Sequence, residues 1–329
     1  MSSIMTNTAA LTALQSLNAT SKSLQDTQAR ISTGYRVSQA SDNAAYWSIA
    51  TTMRSDNQAM STVSDALGLG ASKVDTAYTG MNSAITTINQ IKNKLVASYG
   101  QTDADKEKTQ TEIAALQKQL KSYADGATFS GTNMLSVSTA SGTAADVKIV
   151  SAFNRDASGA SSISTIDVKV ESIKLYDSGA APTAKGILDT DRLGSTGAAT
   201  TTAQAPTAGA ASAAGDTYSV ATLKVFDTAT GKGFSDSQIA DQMNVVDAAL
   251  KDMTNAATTL GAAKSSIDLQ KTFTSNLMDS IDRGVGQLVD ADMNKESTRL
   301  QALQVQQQLG VQALSIANSS TQSIMSLFR

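Results

Sequence analysis

Long rows of apolar residues at a 3–4 spacing, unbroken by proline, constrain this chain more than any other feature. From Tyr46 the alternation runs through Ile49, Met53, Asp56, Met60, Val63, Leu67, Gly70, Val74, Ala77, Met81, Ala84, Ile88, Ile91 and Leu95, with Asp56 its one charge. The period is helical. The row predicts a single helix of roughly 50 residues, ~75 Å long. A second row begins at Ile239 and passes Met243, Val246, Leu250, Met253, Ala257, Leu260, Ile267, Met278, Ile281 and Val285 to Leu288, interrupted at Lys264, Lys271 and Thr274. Two matched stripes of this length are natural antiparallel partners in a coiled-coil-like pair. An interior proline would remove a helical hydrogen bond and clash with the preceding turn. Both prolines, Pro182 and Pro206, lie far from these rows.

Three shorter helices are expected. Asp103 to about Ala124 carries Ile113, Leu116, Leu120 and Tyr123, with Gly100 as a break and Thr102/Asp103 as a start. The first row, Ala10, Leu14, Leu17, Ser21, Leu24, Gln28 and Ile31, ends near Gly34. The last row runs Leu300, Leu303, Gln307, Gly310, Leu314, Ala317, Thr321, Ile324 and Phe328, with a neighbouring stripe of Val305, Leu309 and Ile316. A helix apolar on two sides needs more than one partner, so these terminal helices are where copies of the chain are expected to meet. The residues expected to pack subunit against subunit are Leu11, Leu14, Leu17, Leu24, Ile31, Leu300, Leu303, Leu309, Leu314, Ile324, Leu327 and Phe328.

The middle reads differently. Val147–Val150, Ile166–Val170 and Leu223–Val225 alternate at the strand period. Tracts rich in Gly, Ser, Ala and Thr, such as Ser178–Ala184 and Gly194–Gly215, read as loops between them. The expected fold class is mainly α: a long helical hairpin or coiled-coil rod formed by both chain ends, with a small β-rich domain inserted in the middle.

Composition removes several function classes. The chain has neither His nor Cys, so no imidazole base, thiolate nucleophile or His/Cys metal cluster is available. A net charge of −3 argues against nucleic acid as a partner. No span is apolar enough for membrane insertion, and no charged segment followed by an apolar run marks a secretory signal. Asp290, Asp292 and Asn294 imitate the start of a calcium loop, but Lys295 stands where the turn needs Gly and Gln301 where a bidentate Glu is needed. They read instead as acidic residues complementing a helix N-terminus. Gly231-Lys232 is followed by Gly233, so a phosphate-binding loop fails. Gly68-Leu-Gly70 lies in the first long row and reads as close helix packing. Asp103/Asp105 sit with Lys106 and Lys108 on a solvated helix face. No enzyme and no cofactor is expected.

Two motifs at opposite ends carry a resemblance. Leu24-Gln-Asp-Thr-Gln-Ala-Arg-Ile-Ser-Thr-Gly-Tyr-Arg-Val37, with Ala40-Ser-Asp-Asn-Ala-Ala45 and Ile49-Ala-Thr-Thr-Met-Arg54, resembles the N-terminal signature of bacterial flagellins. Ala291-Asp-Met-Asn-Lys-Glu-Ser-Thr298, Gln304-Val-Gln-Gln-Gln308 and Ser326-Leu-Phe-Arg329 resemble the C-terminal one. Tyr46-Trp47 within Asn43–Ala50 is similar to the alphaproteobacterial branch. The resemblance implies a structural subunit polymerising into the helical flagellar filament for swimming, or alternatively a hook–filament junction (hook-associated) protein. It implies a homopolymer, possibly mixed with related flagellins, together with an export chaperone, the type III export apparatus, and hook-associated and cap proteins. Its implied place is outside the cell, in the filament. The implied division is 1–42 with 285–329 as inner filament core, 43–150 with 236–284 as a helical rod domain with a β-hairpin region, and 151–235 as an outer, surface-exposed variable domain.

Overall fold

A computed structural model describes residues 7–139, 143–156, 158–179 and 185–327, with side chains described as far as 319. Five helices dominate: α1 (Thr8–Thr33), α2 (Ala44–Ser98), α3 (Asp103–Gly126), α4 (Asp236–Val289) and α5 (Met293–Leu327). Helix makes up most of the described residues, and the described strands fall between α3 and α4, as expected of a helical protein with a small β-containing insertion. Each of the two long rows is a single helix, α2 of 55 residues and α4 of 54.

By packing, the chain divides into two compact units, Met1–Ala59 with Asn276–Arg329, and Met60–Ser275. In the second unit α2 and α4 run antiparallel. Lys264 of α4 bonds Asp75 of α2, and Lys92 of α2 lies 2.6 Å from Asp247 of α4. The predicted stripe is the core: Leu67, Val74, Met81, Ile88, Ile91 and Leu95 of α2 are wholly buried, as are Val246, Met253, Leu260 and Ile267 of α4. Helix α3 adds Ile113 and Leu120 to the same cluster.

Between α3 and α4 the described strands form five two-stranded pairings. The longest joins β1 (Val147–Arg155) and β2 (Ser161–Val168) as an antiparallel hairpin, with Ile149 opposite Ile166 and a bulge at Val150/Ala152. The alternation at Val147–Val150 and most of that at Ile166–Val170 therefore corresponds to real strands, although Val170 already belongs to a 3-10 turn. Leu223–Val225 is not a strand. Its backbone is met by glutamine side chains from the helices: Gln117 Nε2 donates to the Leu223 carbonyl at 3.0 Å, Gln242 Nε2 to the Lys224 carbonyl at 2.7 Å, and Val225 N–H donates to Gln110 Oε1 at 2.7 Å. Buried backbone groups must be paired, and side chains supply here what a neighbouring strand would otherwise supply. The tract Ser178–Ala184 lies outside the described residues from position 180 onward.

Helix ends follow local chemistry. Gly34 stops α1 at φ 75°, a left-handed conformation suited to glycine, with its N–H on the Arg30 carbonyl. Gly100, at φ 73°, turns the chain between α2 and α3. Thr102 does precede α3, but its hydroxyl donates to Asp105 at 2.9 Å instead of accepting from the helix backbone. Asp292 caps α5, its Oδ1 accepting from the N–H groups of Asn294 and Lys295 at 3.0 and 3.2 Å.

The two glycines of Gly68-Leu-Gly70 have different surroundings. A Cβ at Gly70 would stand 2.3 Å from Ile149 Cγ2 of the hairpin, whereas one at Gly68 would meet nothing within 4 Å. Gly70 is thus the close contact that seats β1 on α2. Gly68→Ala is expected to stabilise the fold by about 0.5–1 kcal/mol through helix propensity, and Gly70→Val to destabilise it by about 1–3 kcal/mol through overpacking. Denaturant midpoints of the two variants, shifting in opposite directions, check this.

Candidate assembly interface

In the first unit α1 and α5 lie antiparallel. Asn7 caps α1, its Oδ1 accepting from Ala10 N–H, while its Nδ2 donates to the Ala317 carbonyl at 3.0 Å. Further along, a Cβ on Gly310 would lie 3.1 Å from Leu17 Cδ1, so the backbones approach closely there. Arg30 and Glu296 form an ion pair at 3.5 Å. The chain reversals are then stitched by backbone bonds, Ala291 N–H to Gly34 at 2.8 Å and Arg36 N–H to Val289 at 2.6 Å. Below them Val37, Ala50, Val285 and Val289 make a small core with Met53, Ile281 and Leu288 around it. The motif residues from Ile31 to Val37 and from Val289 to Glu296 thus meet in space.

The predicted packing residues separate into two groups. Leu303 is buried at 9% exposure, and Leu17, Leu24, Ile31, Leu300 and Leu314 are half-buried. Leu11, Leu14 and Leu309 are exposed, the last at 57%. Ile324 and Leu327 belong to the part of α5 whose side chains lie outside the description, and Phe328 lies outside the described residues altogether.

The helical wheel explains the division. With 3.6 residues per turn, Val305, Leu309 and Ile316 fall within about 40° of one another, on the opposite side of α5 from Leu303 and Leu314. Covering one side with α1 leaves that stripe bare, Ile316 at 69% exposure. A groove of about 660 Å³ lies beside it, floored by Ala9, Ala13 and Ser16 of α1 and Gly310, Ala313 and Ala317 of α5. Small residues bring two backbones together and leave a furrow that a larger side chain can enter. Chemically the region offers apolar surface and shape, which suits association and not catalysis.

Sequence reasoning passed over several exposed apolar residues. Val311 is one, on a flank of α5. Leu269 and Phe273 of α4, in the second unit, are others, Leu269 at 70% exposure. Their signal was available: an i, i+4 apolar pair standing off the buried row, on a face with no core to join.

Comparison with known proteins agrees with the motifs. Residues 4–140 match the bacterial flagellin N-terminal helical region, and residues 243–328 the bacterial flagellin C-terminal helical region. The chain is similar to Flagellin C of Rhizobium meliloti (strain 1021), at 48% identity with both chains covered completely. It is equally similar, at 48% and full coverage of both chains, to a Flagellin of Brucella melitensis biotype 1. Flagellin A of Rhizobium meliloti matches at 43% identity, again over the whole of both chains.

Proposed function

Since this chain belongs to the bacterial flagellin family, we infer that the apolar stripe left bare on α5, with Leu11 and Leu14 of α1, is where one subunit meets the next. The protein is a structural subunit of the helical flagellar filament. The observation that carries the interface is the two-sided character of α5: Leu303 is covered within the subunit while Val305, Leu309 and Ile316 are not. Apolar burial is worth roughly 25 cal/mol per Å², so a stripe of this kind stays exposed at a cost unless another copy covers it.

The finer division follows from the same reading. Residues 1–42 with 285–329 form the inner filament core, 43–150 with 236–284 the helical rod domain, and 151–235 the outward part. Support comes from the chain order: the described strands between residues 147 and 233 all fall between α3 and α4. No described helix is long and apolar enough to cross a membrane. The filament places the protein outside the cell, reached through the flagellar export apparatus with its chaperone. Hook-associated and cap proteins are its neighbours at the filament ends. The role is mechanical, with no catalytic step and no cofactor.

Electron microscopy after a cycle of depolymerisation and regrowth tests this. The full chain is expected to form long, uniform helical filaments, and a chain lacking residues 311–329 to remain monomeric with its second unit folded. Normal filaments from the truncated chain would overturn the assignment of α5 as the assembly element.

A further inference from the structure

In the second unit, α4 carries two apolar side chains that its own core does not use, Leu269 at 70% exposure and Phe273 at 58%. They stand one turn apart, about 6 Å along the axis. At about 100° per residue both fall on the side of α4 away from the buried Leu260 and Ile267. Asn255, Thr258, Ala262 and Ser266 share that side, and all four are exposed. From 255 to 273, about five turns, this surface carries no charge, whereas the solvent side of a helix ordinarily holds the charged residues. Apolar anchors surrounded by uncharged residues are the composition of an interface centre.

A hollow of matching character lies on another side of the same unit. It is a furrow of about 490 Å³ between α2 and the end of α3, with Thr76, Thr79, Gly80 and Ser83 on one wall and Ser122 and Tyr123 on the other. Among the described residues lining it, Asp75 is the one charge, and Lys264 already engages it. The two helices touch at its floor, since a Cβ on Gly80 would stand 2.9 Å from Ala127 Cβ. Tyr78 faces α4 instead, its ring 3.8 Å from where a Cβ of Gly261 would lie. Tyr78 and Gly80 are about 200° apart around α2, so the furrow opens away from α4. Within one chain the apolar pair and the furrow do not meet.

A second copy of the chain fits both features. Polymerisation sets copies of this surface beside one another, and an uncharged face can meet an uncharged furrow without stranding a charge. Thr76, Thr79 and Ser83 step along α2 over about 10 Å, room enough for two side chains about 6 Å apart. Projection and hollow on different sides of one unit make a heterologous contact. Each copy then gives its pair to one neighbour and receives that of another, and such contacts continue into an open helical array. Resting on the filament reading above, we propose that Leu269 and Phe273 of one subunit insert into the α2–α3 furrow of a neighbouring subunit, a contact of the second unit additional to that of α5.

Cross-linking in filaments of the full chain tests this, and the absence of Cys from the sequence makes it clean. Ser266→Cys sits beside the apolar pair and Ser122→Cys in the furrow wall, and neither alters Leu269 or Phe273. Filaments grown from an equal mixture of the two variants and treated with a short bismaleimide are expected to yield a covalent dimer. Filaments of either variant alone are expected to yield none. Phe273→Ser is expected to raise the concentration needed for assembly about tenfold while the monomer melts at the parent temperature, because the side chain is exposed there. Filaments that form without the mixed dimer, a dimer from Ser266→Cys alone, or unchanged assembly of Phe273→Ser would each overturn this contact and leave the α5 interface standing. A parent chain that forms no filaments would overturn both.

Discussion

Leu309→Asp is expected to leave the subunit folded and to stop filament growth at concentrations where the parent polymerises. Leu309 is more than half exposed, on the side of α5 away from α1, and a charge on such a face changes subunit stability by no more than about 0.5 kcal/mol. In the polymer the same carboxylate is desolvated without a partner, which costs several kcal/mol. Each ~1.4 kcal/mol is a tenfold rise in the concentration needed for assembly. Leu303→Asp is the control from the covered side. Leu303 is buried within the subunit, so its charge falls between α1 and α5 and should reduce helix content in the monomer before any polymer forms. Far-UV circular dichroism of the monomers and sedimentation of the polymers distinguish the two. Normal filaments from Leu309→Asp would show that its face of α5 is not an interface.

Lys174→Met is expected to destabilise the second unit by about 3–5 kcal/mol without touching assembly surfaces. Lys174 is 1% exposed, its Nζ 2.9 Å from Glu171 and 2.8 Å from Asp177, whose side chain is also 1% exposed. Asp177 accepts in addition from Thr139 N–H at 3.0 Å and Gly179 N–H at 2.9 Å. Removing the ammonium strands a buried carboxylate. At about 2–4 °C per kcal/mol for a unit of this size, the melting temperature should fall by about 6–20 °C.

The pH dependence of that loss has a definite sign. Burial opposes the Asp177 charge, but the bonds from Lys174 and Thr139 outweigh it and hold the carboxyl below the usual carboxylate range. Its contribution is complete above the unfolded value of about 4 and is lost as pH falls toward the folded one. Burial likewise opposes the Lys174 charge, and Asp177 with Glu171 overcomes it and raises the ammonium pKa. That contribution is complete below about 10.4 and disappears as pH rises past it. The parent and Lys174→Met should therefore differ most near neutral pH, and the difference should narrow as pH falls below about 4, where the variant's Asp177 takes up a proton and no longer needs a partner. Melting curves at pH 3 and pH 7 check this, a constant difference counting against the cluster.

Periodicity is a property of neighbouring residues, and what depends on it was legible in the chain. The extents of α2 and α4 agree with their apolar rows to within a few residues, because a helix lets positions three and four apart share one face. Gly34 and Gly100 mark helix ends because their backbones take a conformation other residues avoid. Two of the three alternating segments lie in a hairpin. Leu223–Val225 does not, since alternation reports which side chains are buried and not who pairs the backbone. Three distant glutamines decide that here. Likewise nothing local separates Lys174 from a surface lysine; its burial comes from the chain folded around it.

The sequence by itself determined the helices, their apolar rows and the family, through motifs lying next to one another along the chain. Tertiary structure decided which rows are covered. Leu303 and Leu309 are the same residue type six positions apart on one helix, and only the placement of α1 buries the first and leaves the second bare. A helix presents every face at once, and burial is settled by what packs against it.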